Sequence, residues 1–133
     1  NAHNPHKFTR NPVRDMESTN PGASAILQAM SIPTGVKMGW VGTVSINDTA
    51  PGGVNTELMV NSPDNAEITP TTSAFTSPYG SLDVANGRAT ANFDGGVQTN
   101  TSAQVRVKLS RSDADVLLRV ITHGWLDDMG VNA

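Results

Sequence analysis

The chain of 133 residues has the length of one domain with a modest core and is too short to join a catalytic domain to a binding domain. Its net charge of −3 argues against a basic tail that coats nucleic acid indiscriminately, and the absence of cysteine excludes disulfides and thiolate metal sites. Charged residues make up only 16% of the chain, whereas Thr, Ser, Asn and Gly abound, a balance closer to β-rich and surface-assembly proteins than to a helical bundle.

Residues 1–22 are rich in proline and carry Lys7, Arg10 and Arg14, so they read as an arm or loose hairpin with "STNPG" as its turn. They show no apolar stretch of the signal-peptide kind, which a processed chain would also lack. His3 and His6, as "HNPH", supply too few ligands for a tetrahedral metal site. The stretch "ASAILQAMSI" at 23–32 suits either a strand or a short helix.

The next segment, "VKMGWVGTVSIND", places Val36, Met38, Trp40, Val44 and Ile46 on one parity and Lys37, Thr43, Ser45 and Asn47 on the other, the pattern of a half-buried strand. Beyond the turn "TAPGG", "VNTELMVN" alternates again, with Asn55, Glu57 and Met59 outward, and the two strands are expected to form an antiparallel hairpin. Further strands are expected near 67–75, 81–85 and 88–93, with Asn86-Gly87 as a second hairpin turn, although the conformation of residues 64–102 is otherwise open. "AQVRVKL" then sets Val105, Val107 and Leu109 against Arg106 and Lys108.

After that strand, Ser112 reads as a helix N-cap, with Asp113 and Asp115 in the first turn, and a helix is expected over 112–129. On that helix, Val116, Leu117, Leu118, Val120, Ile121, Trp125 and Met129 sweep an arc of roughly 220°. A surface helix has an apolar stripe little wider than ~100°, so this one needs cover from two directions. His123 and Asp127 would be neighbours on its surface.

Two stretches carry a family resemblance. "VRVKLSRSDADVLLRVITHGWLDD" resembles the C-terminal part of the coat proteins of single-stranded RNA bacteriophages, the leviviruses, in its order of strand, Ser-Asp cap and apolar helix. "VKMGWVGTVSINDTAPGGVNTELMVNSP" resembles their central strands, including Thr43-x-Ser45 and the Ser62-Pro63 exit. The resemblance implies a single α+β coat domain, an antiparallel sheet over 35–109 with an N-terminal hairpin and a C-terminal helix on one face, and an intertwined dimer that assembles into an icosahedral shell.

On this reading Leu117, Leu118, Ile121 and Trp125 form the dimer interface. The sheet face carrying Lys37, Thr43, Ser45, Asn47, Asn55, Glu57, Arg106 and Lys108 meets single-stranded genomic RNA, since hydroxyls and amides can bond unstacked bases while cations hold phosphates. The implied setting is the virion, formed in the cytoplasm of a bacterial host, with itself and RNA as partners and no membrane. The implied role extends to repressing translation through an RNA hairpin. The sequence contains no nucleophile elbow, P-loop or dinucleotide fingerprint, so an enzyme is not expected and neither cofactor nor metal is required.

Two alternatives stand beside this. One is a secreted carbohydrate-binding β-sandwich, which needs an exposed aromatic platform. Trp40 and Trp125 look like core, leaving Phe75, Tyr79 and Phe93. The other is a different virion component, such as a decoration or fibre protein.

Overall fold

The computed structural model describes residues 6–49, 55–67, 81–85 and 87–127. Among the described residues eight strands occur in the order β1 (His6–Thr19), β2 (Ile26–Ala29), β3 (Gly39–Asp48), β4 (Asn55–Asn61), β5 (Ser81–Ala85), β6 (Gly87–Gln98), β7 (Gln104–Leu109) and β8 (Val116–Asp127). They form two four-stranded sheets, β1-β8-β3-β6 and β2-β7-β4-β5, and every pairing is antiparallel. Among the described residues there is no helix.

The core lies between the two sheets. Trp40, Val44 and Ile46 from β3 and Val116, Leu118 and Val120 from β8 join Leu58 and Val60 of β4 and Val105, Val107 and Leu109 of β7 in one buried cluster. Each such aliphatic side chain contributes roughly 1.5–3 kcal/mol through the apolar area it removes from water. The alternation read in "VKMGWVGTVSIND" and "AQVRVKL" therefore assigns the core faces of β3 and β7 correctly.

The α+β expectation is overturned where the helix was placed. Residues 116–127 are a strand whose burial alternates, with Val116, Leu118, Val120 and Thr122 inward. Val116, Val120, Ile121 and Thr122 are β-branched and favour a pleated surface, and Gly124 disfavours a helix interior. β8 is an inner strand, flanked by β1 and β3, so its own chain shelters it on both sides and no partner is needed for that. Ser112 is not a helix cap: its hydroxyl donates to Asn20 Oδ1 at 2.7 Å and accepts the Gly22 amide at 3.0 Å, pinning the turn that leaves β1.

Two hairpins are also corrected. β3 and β4 lie in opposite sheets and do not pair, because each is an inner strand whose apolar face meets the other sheet across the core. The turn expected between them falls at 49–53, largely outside the described residues. β5 and β6 likewise belong to different sheets, so the chain changes layers near Gly87 and closes no hairpin there. The strand expected near 67–75 lies outside the described residues beyond Glu67. The N-terminal segment is neither arm nor hairpin but a strand of 14 residues at the edge of the first sheet, and the ambiguous 23–32 stretch contributes the short strand β2.

Candidate nucleic-acid interface

The outward faces of the two sheets divide the proposed RNA-contacting residues. Thr43, Ser45 and Asn47 lie on the outer face of the first sheet. Glu57, Arg106 and Lys108 lie on the outer face of the second, with Asn55 exposed at the start of β4. Lys37 precedes β3 and forms an ion pair with Asp64 at 2.8 Å. The single face expected from the sequence does not exist, since it rested on pairing β3 with β4.

On the second sheet the chain covers its own cations. Residues 62–67 fold back so that Arg106 donates to the carbonyls of Asn65 at 2.8 Å and Pro63 at 3.2 Å. Asn61 Nδ2 donates to the carbonyl of Ala66 at 3.1 Å, and Lys108 Nζ reaches Glu67 at 2.8 Å. The hydrogen bond and charge of Lys108 hold the Glu67 carboxyl below its ordinary value of 4.5. Glu57 is buried, and its backbone N–H and C=O pair with the side chain and amide of Ser110. Arg106 and Lys108 are thus already engaged by backbone carbonyls and a carboxylate.

The first sheet presents a different surface. Cross-strand partners share a face, so the register sets Arg88, Asn47, Leu117 and Thr19 in one row, Thr90, Ser45, Arg119 and Glu17 in the next, and Asn92, Thr43, Ile121 and Arg14 in a third. Glu17 accepts from Arg119 at 2.9 Å and from Arg14 at 2.7 Å, so one carboxylate faces two guanidinium groups and the cluster keeps a positive charge. Thr43 gives its hydroxyl proton to Asn92 Oδ1 at 2.8 Å and meets His123 Nε2 at 3.0 Å, which makes that ring nitrogen the donor. The register skips His123 between Thr122 and Gly124, and this irregularity in β8 places the ring beside Thr43 and not beside Asp127.

Arg14, Arg88, Arg119, Thr90 and Asn92 were not singled out from the sequence. The signal was present for part of them: "RATANFD" alternates, and a strand near 88–93 was expected. Its polar parity places Arg88, Thr90 and Asn92 beside the outward residues of β3 once those strands pair. Arg14 and Arg119 had no such signal, because one was assigned to an arm and the other to a helix.

The proposed dimer-interface residues also separate. Leu118 is wholly buried in its own subunit. Leu117 and Ile121 are half-buried on the outer face of the first sheet. Trp125 packs at the border of the core and stacks on Phe8, ring centroids 5.4 Å apart. Among the described residues no three His, Asp or Glu side chains gather as a metal site, and no helix is long and apolar enough to cross a membrane.

Compared with known proteins, the chain matches no family, no curated relative and no solved structure.

Proposed function

We propose that this protein is a structural coat subunit that assembles with copies of itself around single-stranded RNA, with the outer face of its first sheet turned toward the RNA. The observation that carries the reading is the gathering of Arg14, Arg88 and Arg119 with Thr43, Ser45, Asn47, Thr90 and Asn92 on one face that holds Glu17 between two arginines. Exposed ion pairs contribute only about 0–1 kcal/mol, so a phosphate can displace Glu17 from Arg14 or Arg119 at little cost. Hydroxyls and amides between these cations suit the edges of unstacked bases. An overall acidic chain is compatible with this, because the contact is a local patch.

The C-terminal segment that resembled the RNA-phage coat proteins as a helix is a strand, so the proposal stands on the sheet face. It places the protein in a virion assembled within a bacterial host, in a structural and not an enzymatic role. Expression in bacteria, followed by sedimentation and nuclease treatment, tests it: particles that retain protected RNA are expected. Replacing both Arg14 and Arg119 with Ala should reduce the retained RNA several-fold, since each lost phosphate contact weakens binding at physiological salt. Replacing Arg106 and Lys108 should leave it unchanged. Absence of RNA from the wild-type particles, or RNA content indifferent to Arg14 and Arg119, would overturn the assignment.

One observation favours the glycan-binding alternative. The fold is a two-sheet sandwich, and Phe8, stacked on Trp125, is 43% exposed, offering an aromatic platform at the sheet edge. Phe93, the described member of the set first considered, packs instead against Trp40 at 5.3 Å. Soluble monomers retained on polysaccharide through Phe8 would support this second reading.

A further inference from the structure

The inner face of the first sheet ends in an aromatic ledge. Trp125 shares a register row with Trp40, whose side chain is fully buried, so Trp125 and its β1 partner Phe8 also face inward. The two rings stack at 5.4 Å with their planes 20° apart. Trp125 packs at the border of the core, whereas Phe8 stands outside the cluster and is 43% exposed. The indole thus covers one face of Phe8, fixes the orientation of its ring and leaves the rest of it to solvent.

Polar groups flank that platform. Alternation along the strands puts His6 and Asp127, the register pair two positions further on, on the same side as Phe8 and Trp125. The rings of His6 and Phe8 lie 6.4 Å apart. Lys7, between them, belongs to the other side of the sheet and pairs with Asp94 at 2.6 Å. Two residues beyond Phe8 in the other direction, Arg10 donates to the carbonyl of Ser31 at 2.7 Å, which ties its charge to the loop after β2.

Resting on the glycan-binding reading above, we infer that this ledge binds a neutral pyranose, with one C–H face of the sugar on Phe8 and its hydroxyls bonded to Asp127 and His6. An apolar platform with a few placed polar groups is the usual make-up of a small-molecule site. A carboxylate has about four lone-pair sites for hydroxyl donors, and an imidazole supplies both a donor and an acceptor. Their spacing from Phe8 matches that between the centre of a six-membered sugar and a group bonded to its hydroxyls. The negative charge of Asp127 repels phosphates and uronates at the same place, which separates this ligand from RNA and from acidic polysaccharides. A wholly apolar partner would desolvate the carboxylate, a cost that sugar hydroxyls offset. Trp125 holds Phe8 in position before the sugar arrives, so little side-chain freedom is lost on binding. The RNA proposed above meets the opposite face of the same sheet, so the two contacts do not compete.

Electrophoresis in gels containing hydroxyethyl cellulose, galactomannan or xylan, with alginate as the acidic comparison, tests the site. At least one neutral polymer should retard the protein, and alginate should retard it less. Phe8→Leu keeps an apolar side chain without a ring and should weaken retention at least about ten-fold, whereas Phe8→Tyr should recover most of it. Asp127→Asn keeps the shape but removes the charge and should weaken retention several-fold. A second measurement needs no variant: oligosaccharides of the retained polymer, titrated into the wild type, should shift the ring protons of Phe8 and His6 in NMR spectra. Retention by alginate in preference to every neutral polymer, or shifts that leave Phe8 unmoved, overturns the assignment. Retention undiminished in Phe8→Leu rejects the ledge but keeps the glycan-binding reading, whereas no retention on any neutral polymer rejects both.

Discussion

The indole N–H of Trp40 donates to the hydroxyl of Thr122 at 3.0 Å inside the core, and that hydroxyl in turn donates to Asp15 of β1. Asp15 also accepts the amide of Ser31 at 2.9 Å. One threonine therefore links three adjacent strands of the first sheet and the loop after β2. Thr122→Val keeps shape and β propensity but strands the indole N–H, while Asp15 Oδ2 loses one of two donors and keeps the Ser31 amide. An unsatisfied buried group costs about 1–3 kcal/mol, so a loss of that size is expected. Urea unfolding should show it as a lower midpoint with an unchanged slope, and Thr122→Ser should lie near the wild type.

A second polar link joins the sheets at the other end. Arg111, in the loop after β7, donates to Asp48 of β3 at 2.7 Å and to Thr56 of β4 at 2.8 Å, and Asp48 is fully buried. Removing one member of a buried pair typically costs about 3–5 kcal/mol, because the remaining charge loses its partner. Arg111→Met should therefore destabilise strongly in chemical denaturation. Adding Asp48→Asn in that background should recover part of the loss, whereas two independent effects would add.

These links explain which parts of the fold were legible in sequence. β3 and β7 alternate cleanly, so their core faces could be read from parity. The errors came from features that parity does not contain. Consecutive amphipathic strands pair in a hairpin or face each other across a core, and "VKMGWVGTVSIND" and "VNTELMVN" are the same under either arrangement. In "VLLRVITHGWLD" the apolar residues are dense enough to satisfy a helical period and a strand period alike. The width of the apparent helical arc, taken as a demand for a partner, was instead a sign of the wrong period, since an inner strand of a sandwich accepts apolar residues on both faces. Thr122 favours a strand and Gly124 disfavours a helix interior, whereas Ser112 followed by Asp113 and Asp115 resembles a helix cap. For the candidate face, the outward parity of Thr43, Ser45 and Asn47 was legible because β3 alternates as expected. That Arg106 and Lys108 lie on the other sheet and meet Pro63 to Glu67 was not legible, because that segment arrives from a distant part of the chain.

The Glu67–Lys108 contact predicts an acid-sensitive component of stability. Lys108 favours the ionised carboxylate, so the folded protein holds Glu67 below its ordinary value of 4.5. A group depressed in this way contributes stability above its unfolded value, and that contribution is lost as pH falls through the folded value. Wild type should exceed Glu67→Gln in stability near neutrality, and the two curves should converge as pH falls below the ordinary glutamate value of 4.5 and through the lowered folded one. Parallel curves throughout would show that the contact makes no net contribution. Direct titration of the Glu67 carboxyl by NMR should give a midpoint lower than that of an exposed glutamate.

Gly124 carries the attachment of β1 to the rest of the sheet. A Cβ at this position would lie 2.0 Å from the carbonyl oxygen of Phe8 and 3.1 Å from Thr9 Cα, both of them β1 backbone that cannot swing aside as a side chain would. Gly124→Ala must therefore push β1 away from β8 at this point, at a cost of about 1–3 kcal/mol, the usual range for overpacking. β1 is an edge strand, so the strain should be relieved by local detachment, while β3, paired on both sides, stays in place. Amide hydrogen exchange should show lost protection across β1 with little change in β3. Because Arg14 belongs to β1, the same substitution should also lower RNA retention. Retained protection in β1 would mean that the sheet absorbs the methyl group elsewhere and that Gly124 does not set the approach of the two strands.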